Sequence, residues 1–205
     1  MIAIIDYGVG NLRSVQKAFE SIGHTAMVTS DPSVIQDATR VVLPGVGAFG
    51  TAIQTLRERN LEGVTRFAAL SGRPFLGICV GMQLLFDVSY EYGEHAGLGL
   101  LPGKVMSFEH GNPAAKVPQI GWNEVEWLVE NPFSQAVPSG AMCYFVHSFY
   151  CIPANPSDIL STTFHGLDYA SSVKRGAITG VQFHPEKSGQ VGLRLLKAWA
   201  ETDNV

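Results

Sequence analysis

The sequence lacks the features that mark membrane, nucleic-acid-binding and disulfide-rich proteins. No apolar run among its 205 residues approaches the roughly 18 to 20 that span a bilayer. Charged residues make up only 16% of the chain, the formal net charge is −4, and no basic stripe is present, so we expect no nucleic-acid partner. Three cysteines do not make a disulfide framework. Histidine and cysteine also lack the spacing of metal ligands, so we expect neither a metal nor an organic cofactor.

The amino terminus and the cysteines favour a cytoplasmic location. Residues 1–5, with the sequence MIAII, have no basic leader and are followed by Asp6, which is typical of a first core strand rather than a signal peptide. We predict that Cys143 and Cys151 are free, buried thiols, which fits a reducing compartment. A chain that is 46% hydrophobic can form one sizeable core, so we predict a single domain over residues 1–205.

Strands and helices alternate in the first half of the chain, which predicts an α/β fold. We expect strands at 1–6, 25–28 and 40–43, a helix at 11–22, and helical segments between 49 and 70. Later, shorter β-rich runs are predicted at 104–108, 123–126, 142–150, 159–163 and 169–173, before a helix near 189–201. The expected architecture is an open, mostly parallel sheet with antiparallel additions and helices on both faces.

A cysteine between two glycines is the most informative motif. Residues 74–78, PFLGI, predict a short buried strand, Cys79 follows directly, and residues 80–86 can start a helix. The pattern GICVG at 77–81 matches a nucleophile elbow with cysteine in place of serine. In such a turn the nucleophile has a strained backbone at a helix N-terminus, which favours thiolate over thiol, and larger flanking residues would collide with their neighbours. The glycines argue against the alternative, a buried structural thiol.

A second motif supplies a base and a group to orient it. Residues 181–186, VQFHPE, are predicted to end a strand, where His184 and Glu186 would share a face because they are two residues apart. Pro185 suits the place where sheet pairing stops. Cysteine, histidine and carboxylate are the nucleophile, base and orienting group of covalent catalysis. Alone, His184 would more often be structural, but the elbow motif favours the catalytic role.

A glycine-rich loop is the third motif. Residues 43–50, LPGVGAFG, follow an apolar run and so lie just beyond a strand, where ligands bind in open α/β sheets. Thiolate attack on a carbonyl creates an oxyanion, which needs donors aimed at it. We predict the backbone amide of Val80 as one donor and an amide from the 44–47 loop, which includes Val46, as the other, the alternative being a plain glycine-rich turn. Gly8 and Gly10 form another turn, but Arg13 replaces the third glycine of a dinucleotide-binding loop.

Together these motifs resemble those of the triad (class I) glutamine amidotransferases. Three further segments resemble the glutaminase subunits of imidazole glycerol phosphate synthases, which act in histidine biosynthesis: DYGVGNL at 6–12, KVPQIGWN at 116–123 and YFVHS at 144–148. The resemblance covers nearly the whole chain. One departure is Gln119, where we expect a histidine from the family pattern; this position is not part of the triad.

The resemblance implies both a reaction and a substrate site. Cys79 would attack the side-chain amide of L-glutamine, His184 would move the protons, and Glu186 would hold the imidazole until water releases glutamate. Five residues would hold the glutamine: Gly47, Gln83, Glu91, Ser148 and Phe149. Glu91 would pair with the α-ammonium group and the backbone at 148–149 with the α-carboxylate. From the sequence alone, Glu91 is more simply a solvated loop charge.

A partner is expected because free ammonia is mostly protonated at neutral pH, and the chain has no room for a second catalytic domain. The resemblance implies a heterodimer with a (β/α)8-barrel cyclase subunit, an ammonia tunnel through that barrel, and activation of the glutaminase when the partner binds its ligand. Our candidates for the docking face are Pro118, Trp122, Tyr144 and Lys187. Tryptophan and tyrosine dominate interfaces, although ordinary core packing is the alternative for both.

Three other functions stay open. A glutaminase of pyridoxal phosphate synthase shares the cysteine nucleophile and a barrel partner, but residues 116–123 fit it less well. A stand-alone γ-glutamyl hydrolase would turn over its substrate without a partner. A non-enzymatic sensor on the same scaffold would have no need of the paired His184 and Glu186.

Overall fold

Strands and helices alternate through the first half of the computed structural model, which describes residues 1–202. The strands are β1 (Ile2–Ile5), β2 (Ala26–Thr29), β3 (Arg40–Gly45) and β4 (Phe75–Cys79). The helices are α1 (Leu12–Ser21), α2 (Pro32–Asp37), α3 (Phe49–Glu58) and α4 (Glu62–Leu70). The predicted elements are present within a few residues. Only α2 is absent from the prediction, and it begins at a recognisable signal: Asp31 accepts the Ser33 backbone N–H at 2.8 Å, and proline follows the cap.

The second half is dominated by strands. It continues with α5 (Val80–Gln83), β5 (Phe86–Ser89), β6 (His95–Ala96), β7 (Leu101–Ser107), α6 (Phe108–Gly111), β8 (Gln119–Trp127) and α7 (Pro132–Ala136). It ends with β9 (Ala141–His147), β10 (Phe149–Pro153), β11 (Ile159–Phe164), β12 (Asp168–Arg175), β13 (Ile178–Val181) and α8 (Gly189–Glu201). Single 3-10 turns cover Pro156–Asp158 and Pro185–Lys187.

One sheet contains both a parallel and an antiparallel region. Strands β2, β1, β3, β4 and β13 lie side by side in this order, and all are parallel. Beyond β13 the order continues through β12, β10 and β7, which pair antiparallel, and β11, β8 and β9 extend from β12. The predicted α/β architecture, a mostly parallel sheet with antiparallel additions, is confirmed.

The core lies on both sides of the parallel strands. Every residue of β1, β4 and β13 is buried, as expected for strands covered by helices on both faces. Helix α8 contributes Leu195, Leu196 and Trp199 to this core, and the Trp199 ring lies 5.7 Å from that of Phe19. None of the described helices is both long enough and apolar enough to cross a membrane.

Three local predictions are wrong. The expected helix at 80–86 is a single turn, because the carbonyls of Leu84 and Leu85 accept N–H groups from residues 98, 100 and 101 instead of continuing the helix. The expected strand at 142–150 is two strands, β9 and β10, which separate at Ser148 to pair with different neighbours. The segment 181–186 leaves the sheet at Val181, so His184 and Glu186 lie on a 3-10 turn rather than a strand.

Candidate active site

Cys79 lies at a strained turn between β4 and α5. Its backbone has φ 55° and ψ −113°, in a region that residues with a side chain seldom adopt. A Cβ on Gly77 would lie 2.7 Å from the carbonyl oxygen of Gly81. A Cβ on Gly81 would lie 1.8 Å from the carbonyl oxygen of Leu43. Both glycines are therefore required by close backbone approach, as the elbow motif predicts. Because α5 is one turn long, its dipole is smaller than the predicted helix would provide.

His184 and Glu186 form a buried pair beside the elbow. The Nδ1 atom of His184 lies 2.8 Å from Oε1 of Glu186, and both side chains are at most 2% exposed. The turn is fixed from two sides: the His184 N–H donates to the Tyr144 carbonyl at 2.9 Å, and the Ser188 hydroxyl donates to the His184 carbonyl at 2.7 Å. A 3-10 turn thus brings together the two groups that we expected a strand to align.

The environment of His184 favours its charged form. Burial lowers its pKa, but the neighbouring Cys79 sulfur and Glu186 carboxylate raise it by more, to about 10. His184 Nε2 has no partner with full hydrogen-bond geometry among residues 1–202, but the adjacent Cys79 sulfur is still the largest cause of the increase in pKa. An imidazolium here is the partner that a cysteine thiolate needs, and its free Nε2 can give or take a proton.

A cavity of about 550 Å³ connects these groups. It is lined by most of the predicted site residues: Val46, Gly47, Cys79, Val80, Gln83, Glu91, Pro118, Ser148, Phe149, His184 and Lys187. Glu186 lies behind His184, while Trp122 and Tyr144 lie outside the cavity lining. A separate cavity of about 50 Å³ near Trp199 has no cysteine or histidine in its lining. Within residues 1–202, no group of three or more histidine, cysteine and carboxylate side chains could hold a metal ion.

The glycine-rich loop meets the elbow at the ends of adjacent parallel strands. Gly45, the last residue of β3, pairs with Cys79, the last residue of β4. A Cβ on Gly45 would lie 2.8 Å from the Gly81 nitrogen, so the two turns are in direct contact. Val46 and Gly47 follow, and Gly47 has a φ of +84°, which favours glycine. The loop thus lines the same cavity as Cys79.

Glu91 is not the solvated charge that its sequence suggests. Its Oε2 atom accepts the backbone N–H of Phe49 at 2.6 Å, at the first residue of α3. Burial raises the pKa of this carboxyl, although the Phe49 hydrogen bond and nearby His95 oppose the increase. Glu91 therefore connects its own loop to the helix that follows the glycine-rich loop, while it also lines the cavity.

The other predicted glutamine contacts lie where two strands separate. Ser148 is the single residue between β9 and β10, and Phe149 begins β10. The Phe149 carbonyl accepts the side-chain N–H of Gln83 at 3.2 Å and that of His147 Nδ1 at 2.8 Å. Gln83 therefore has a structural contact as well as a place in the cavity wall.

The predicted docking residues are near one another. The Trp122 and Tyr144 rings are 6.2 Å apart on neighbouring strands β8 and β9, and Lys187 Nζ lies 5.8 Å from the Tyr144 ring centre. Trp122 is 53% exposed, so core packing does not explain it. Gln119, by contrast, is buried: it accepts the hydrogen bond of the Tyr169 hydroxyl at 2.9 Å. It also borders a cavity of about 290 Å³, which shares Pro118 with the cavity that contains Cys79.

Comparison with known proteins identifies the family. The model of the family described as glutamine amidotransferase class-I matches residues 3–199 of the chain. This chain belongs to the class I glutamine amidotransferase family. It is accordingly an enzyme of that class.

Individual relatives of this amidotransferase are similar over their full length. An imidazole glycerol phosphate synthase subunit HisH from Salinibacter ruber is 49% identical over 204 residues, which cover 98% of this chain and 94% of that protein. A protein of the same name from Syntrophotalea carbinolica is 47% identical and is covered completely, again over 98% of this chain. A solved structure described as a glutamine amidotransferase superposes with a TM-score of 0.76 at 19% identity, covering 98% of both chains, and supports the fold.

Sequence reasoning missed several residues of the amidotransferase cavity. Tyr92 and His147 line this cavity. Gln182 lies outside the lining, but its side-chain Nε2 atom is 3.7 Å from the sulfur of Cys79. Gln182 is two residues before His184, inside a motif that was already recognised. Its position in the motif was visible, but the direction of its side chain was not, since the chain has left the regular strand there.

Proposed function

We propose that this chain hydrolyses L-glutamine to glutamate and ammonia through Cys79, His184 and Glu186, and passes the ammonia to a (β/α)8-barrel cyclase that makes imidazole glycerol phosphate in histidine biosynthesis. The observation that carries the proposal is the buried His184–Glu186 pair, which shares a cavity with Cys79 at a strained elbow. The names and the 47–49% identities of the relatives support the choice of pathway.

The chemistry proceeds in two halves. The Cys79 sulfur attacks the amide carbon of glutamine, the C–N bond breaks, and protonated His184 gives its Nε2 proton to the leaving ammonia. A γ-glutamyl thioester remains on Cys79. Water then attacks it with neutral His184 taking the water proton, the C–S bond breaks, and glutamate is released with the thiolate–imidazolium pair restored. Glu186 holds Nδ1 and stabilises the positive charge on the ring in both halves.

Backbone amides stabilise the negative charge that each attack creates. Val80 begins the helix after the nucleophile, and Val46 belongs to the loop in contact with the elbow. Donors fixed by the fold need no reorganisation when the oxyanion forms, which is why such sites contribute strongly to rate. We assign both amides to the oxyanion hole.

Glutamine is held by groups around the rest of the cavity. Gly47 and Gln83 line it beside the elbow, and Ser148 and Phe149 supply backbone where β9 and β10 separate. One carboxylate oxygen of Glu91 accepts the Phe49 N–H, and the carboxylate would also pair with the α-ammonium group of the substrate. These contacts would select an α-amino acid with a side-chain amide.

A partner on the β8–β9 face would cover the cavity and receive its product. Ile120 and Trp122 on β8 are 65% and 53% exposed, although both are apolar. Pro118 and Lys187 border the catalytic cavity next to this face, so the same partner would reach the source of ammonia. We further propose one catalytic domain and a cytoplasmic location, in which Cys79 stays reduced.

The test is glutamate release from glutamine by the purified chain, measured alone and with the cyclase barrel subunit and its nucleotide ligand. Strong activation in the mixture supports the proposal. High activity of the chain alone supports a free-standing hydrolase instead. Absence of activity in both conditions would overturn the assignment to this synthase, and the pyridoxal phosphate partner would be tried next.

A further inference from the structure

A buried series of hydrogen bonds ends at the sulfur of Cys79. Gln182 is fully buried, and its side-chain Nε2 lies 3.7 Å from Cys79 Sγ, within reach of an N–H···S bond. Its Oε1 atom accepts the Nε2 donor of Gln83 at 3.1 Å, and Gln83 also donates to the Phe149 carbonyl at 3.2 Å. Two side-chain amides thus link a backbone carbonyl to the nucleophile.

The Phe149 carbonyl determines which way both amides point. A carbonyl can only accept hydrogen bonds, so Gln83 must turn its NH2 group toward it. The same NH2 group faces Gln182, which must therefore present its oxygen to Gln83. The NH2 group of Gln182 is then the one that faces Cys79. Reversing either amide would place two acceptors or two donors against each other.

His147 holds the carbonyl that starts the series. Its Nδ1 atom lies 2.8 Å from the Phe149 oxygen, and the ring is buried. Burial lowers the pKa of His147 to about 3, the Phe149 hydrogen bond opposing this only in part, so the imidazole is neutral and Nδ1 carries its proton. A neutral, buried donor keeps this carbonyl occupied across the physiological pH range.

We propose that Gln182 is a positioning residue whose side-chain N–H donates to the Cys79 sulfur, favouring the thiolate and holding it in the cavity. A hydrogen bond to the charged form of a group favours that form, and burial strengthens the effect. Both residues then stabilise the thiolate: His184 supplies a positive charge and a proton, and Gln182 supplies the fixed dipole of its N–H group. This role deepens the proposed function and rests on Cys79 as the nucleophile.

The direct test is alkylation of Cys79 by iodoacetamide as a function of pH, with the modified peptide quantified by mass spectrometry. Gln182→Met keeps the side-chain volume but has no N–H donor. We expect the midpoint of its pH profile to rise by about one unit, with alkylation up to about tenfold slower below the midpoint and the plateau rate at high pH unchanged. Gln182→Glu, which adds a like charge, should shift the midpoint further in the same direction.

Matched variants separate this effect from simple destabilisation. Gln135→Met makes the same chemical change at an exposed position of helix α7 and should leave the profile unchanged. Cys79→Ser gives the background from Cys143 and Cys151, which are both buried. A wild-type midpoint in Gln182→Met, or an equal slowing at every pH, would overturn the proposal.

Alkylation requires neither glutamine nor a partner, so the inference and the proposed function can fail separately. If the variants shift as expected while the chain never hydrolyses glutamine, Gln182 keeps its role and the function is wrong. If glutamine is hydrolysed with the partner but the midpoint does not move, the function stands and Gln182 is only part of the core.

Discussion

The parallel and antiparallel regions of the sheet contribute different parts of the site. The carboxyl ends of β3 and β4 carry the glycine-rich loop and Cys79, and the segment after β13 carries His184 and Glu186. The antiparallel strands contribute Ser148 and Phe149 together with the exposed β8–β9 face. The groups proposed for catalysis thus come from the region buried on both sides, while the groups proposed for recognition and docking come from the region with a free face.

Burial patterns explain this division. All five residues of β4 are buried, so the strand end that places Cys79 has little freedom to move. Strand β8 alternates between buried or half-buried and exposed positions, which leaves Ile120 exposed on one face. A rigid strand end suits the nucleophile role that we propose for Cys79. A free apolar face suits the partner that we propose.

The sharpest test of this difference replaces one buried cysteine in each region with alanine. Cys79→Ala should abolish glutamine hydrolysis, because it removes the sulfur that attacks the amide in the proposed mechanism. Cys151→Ala, in β10, should retain activity within about twofold and lose at most a few kcal/mol of stability from the small cavity it leaves. The measurement is glutamate release with the partner present, beside thermal unfolding of each variant. Activity in Cys79→Ala would remove that residue from the mechanism.

Removing the orienting carboxylate should have the next largest effect. Glu186→Gln keeps the shape but loses the carboxylate that, together with the Cys79 sulfur, raises the His184 pKa, so we expect kcat to fall about a hundredfold or more. The His184 pKa should decrease from about 10 toward its ordinary value, which NMR titration of the ring protons would detect. An unchanged His184 titration would mean that Glu186 does not act on the ring.

The same pair predicts how stability depends on pH. Because the folded pKa of His184 is raised above the unfolded value of 6.5 to about 10, its contribution is fully present below 6.5 and is lost as the pH rises toward 10. Urea unfolding of wild type and Glu186→Gln from pH 6 to 10 measures this. The variant should lose this contribution at lower pH than wild type, and parallel curves would contradict the assignment.

Substitutions on the proposed docking face should change partner binding but leave the fold of the chain itself almost unaffected. Trp122→Ala should weaken partner binding by about tenfold to thirtyfold and Lys187→Ala by about threefold, since exposed charges contribute less than apolar anchors. Phe67→Ala is the matched control, because Phe67 is 55% exposed on α4 in the parallel region. Isothermal titration with the barrel subunit would compare the three. Equal effects of Trp122→Ala and Phe67→Ala would disprove the docking face.

Much of the fold and the site could be predicted from local sequence. Cys79 stands between glycines that its turn requires, and α8 follows the predicted helix at 189–201. The α5 helix was predicted too long because its last carbonyls bond to a distant segment, which no local pattern shows. The break at Ser148 was missed for a similar reason, since the two strands have different partners.

The sequence by itself determined the residue types of the proposed triad, the elbow and the family to which the chain belongs. These depend on short motifs, where glycine, proline and β-strand propensity act over a few neighbouring residues. Only the tertiary structure decided that Glu91 contacts α3 and that Gln182 reaches the sulfur of Cys79. Both contacts join residues 42 and 103 positions apart in the chain, so their geometry follows from how the strands pack.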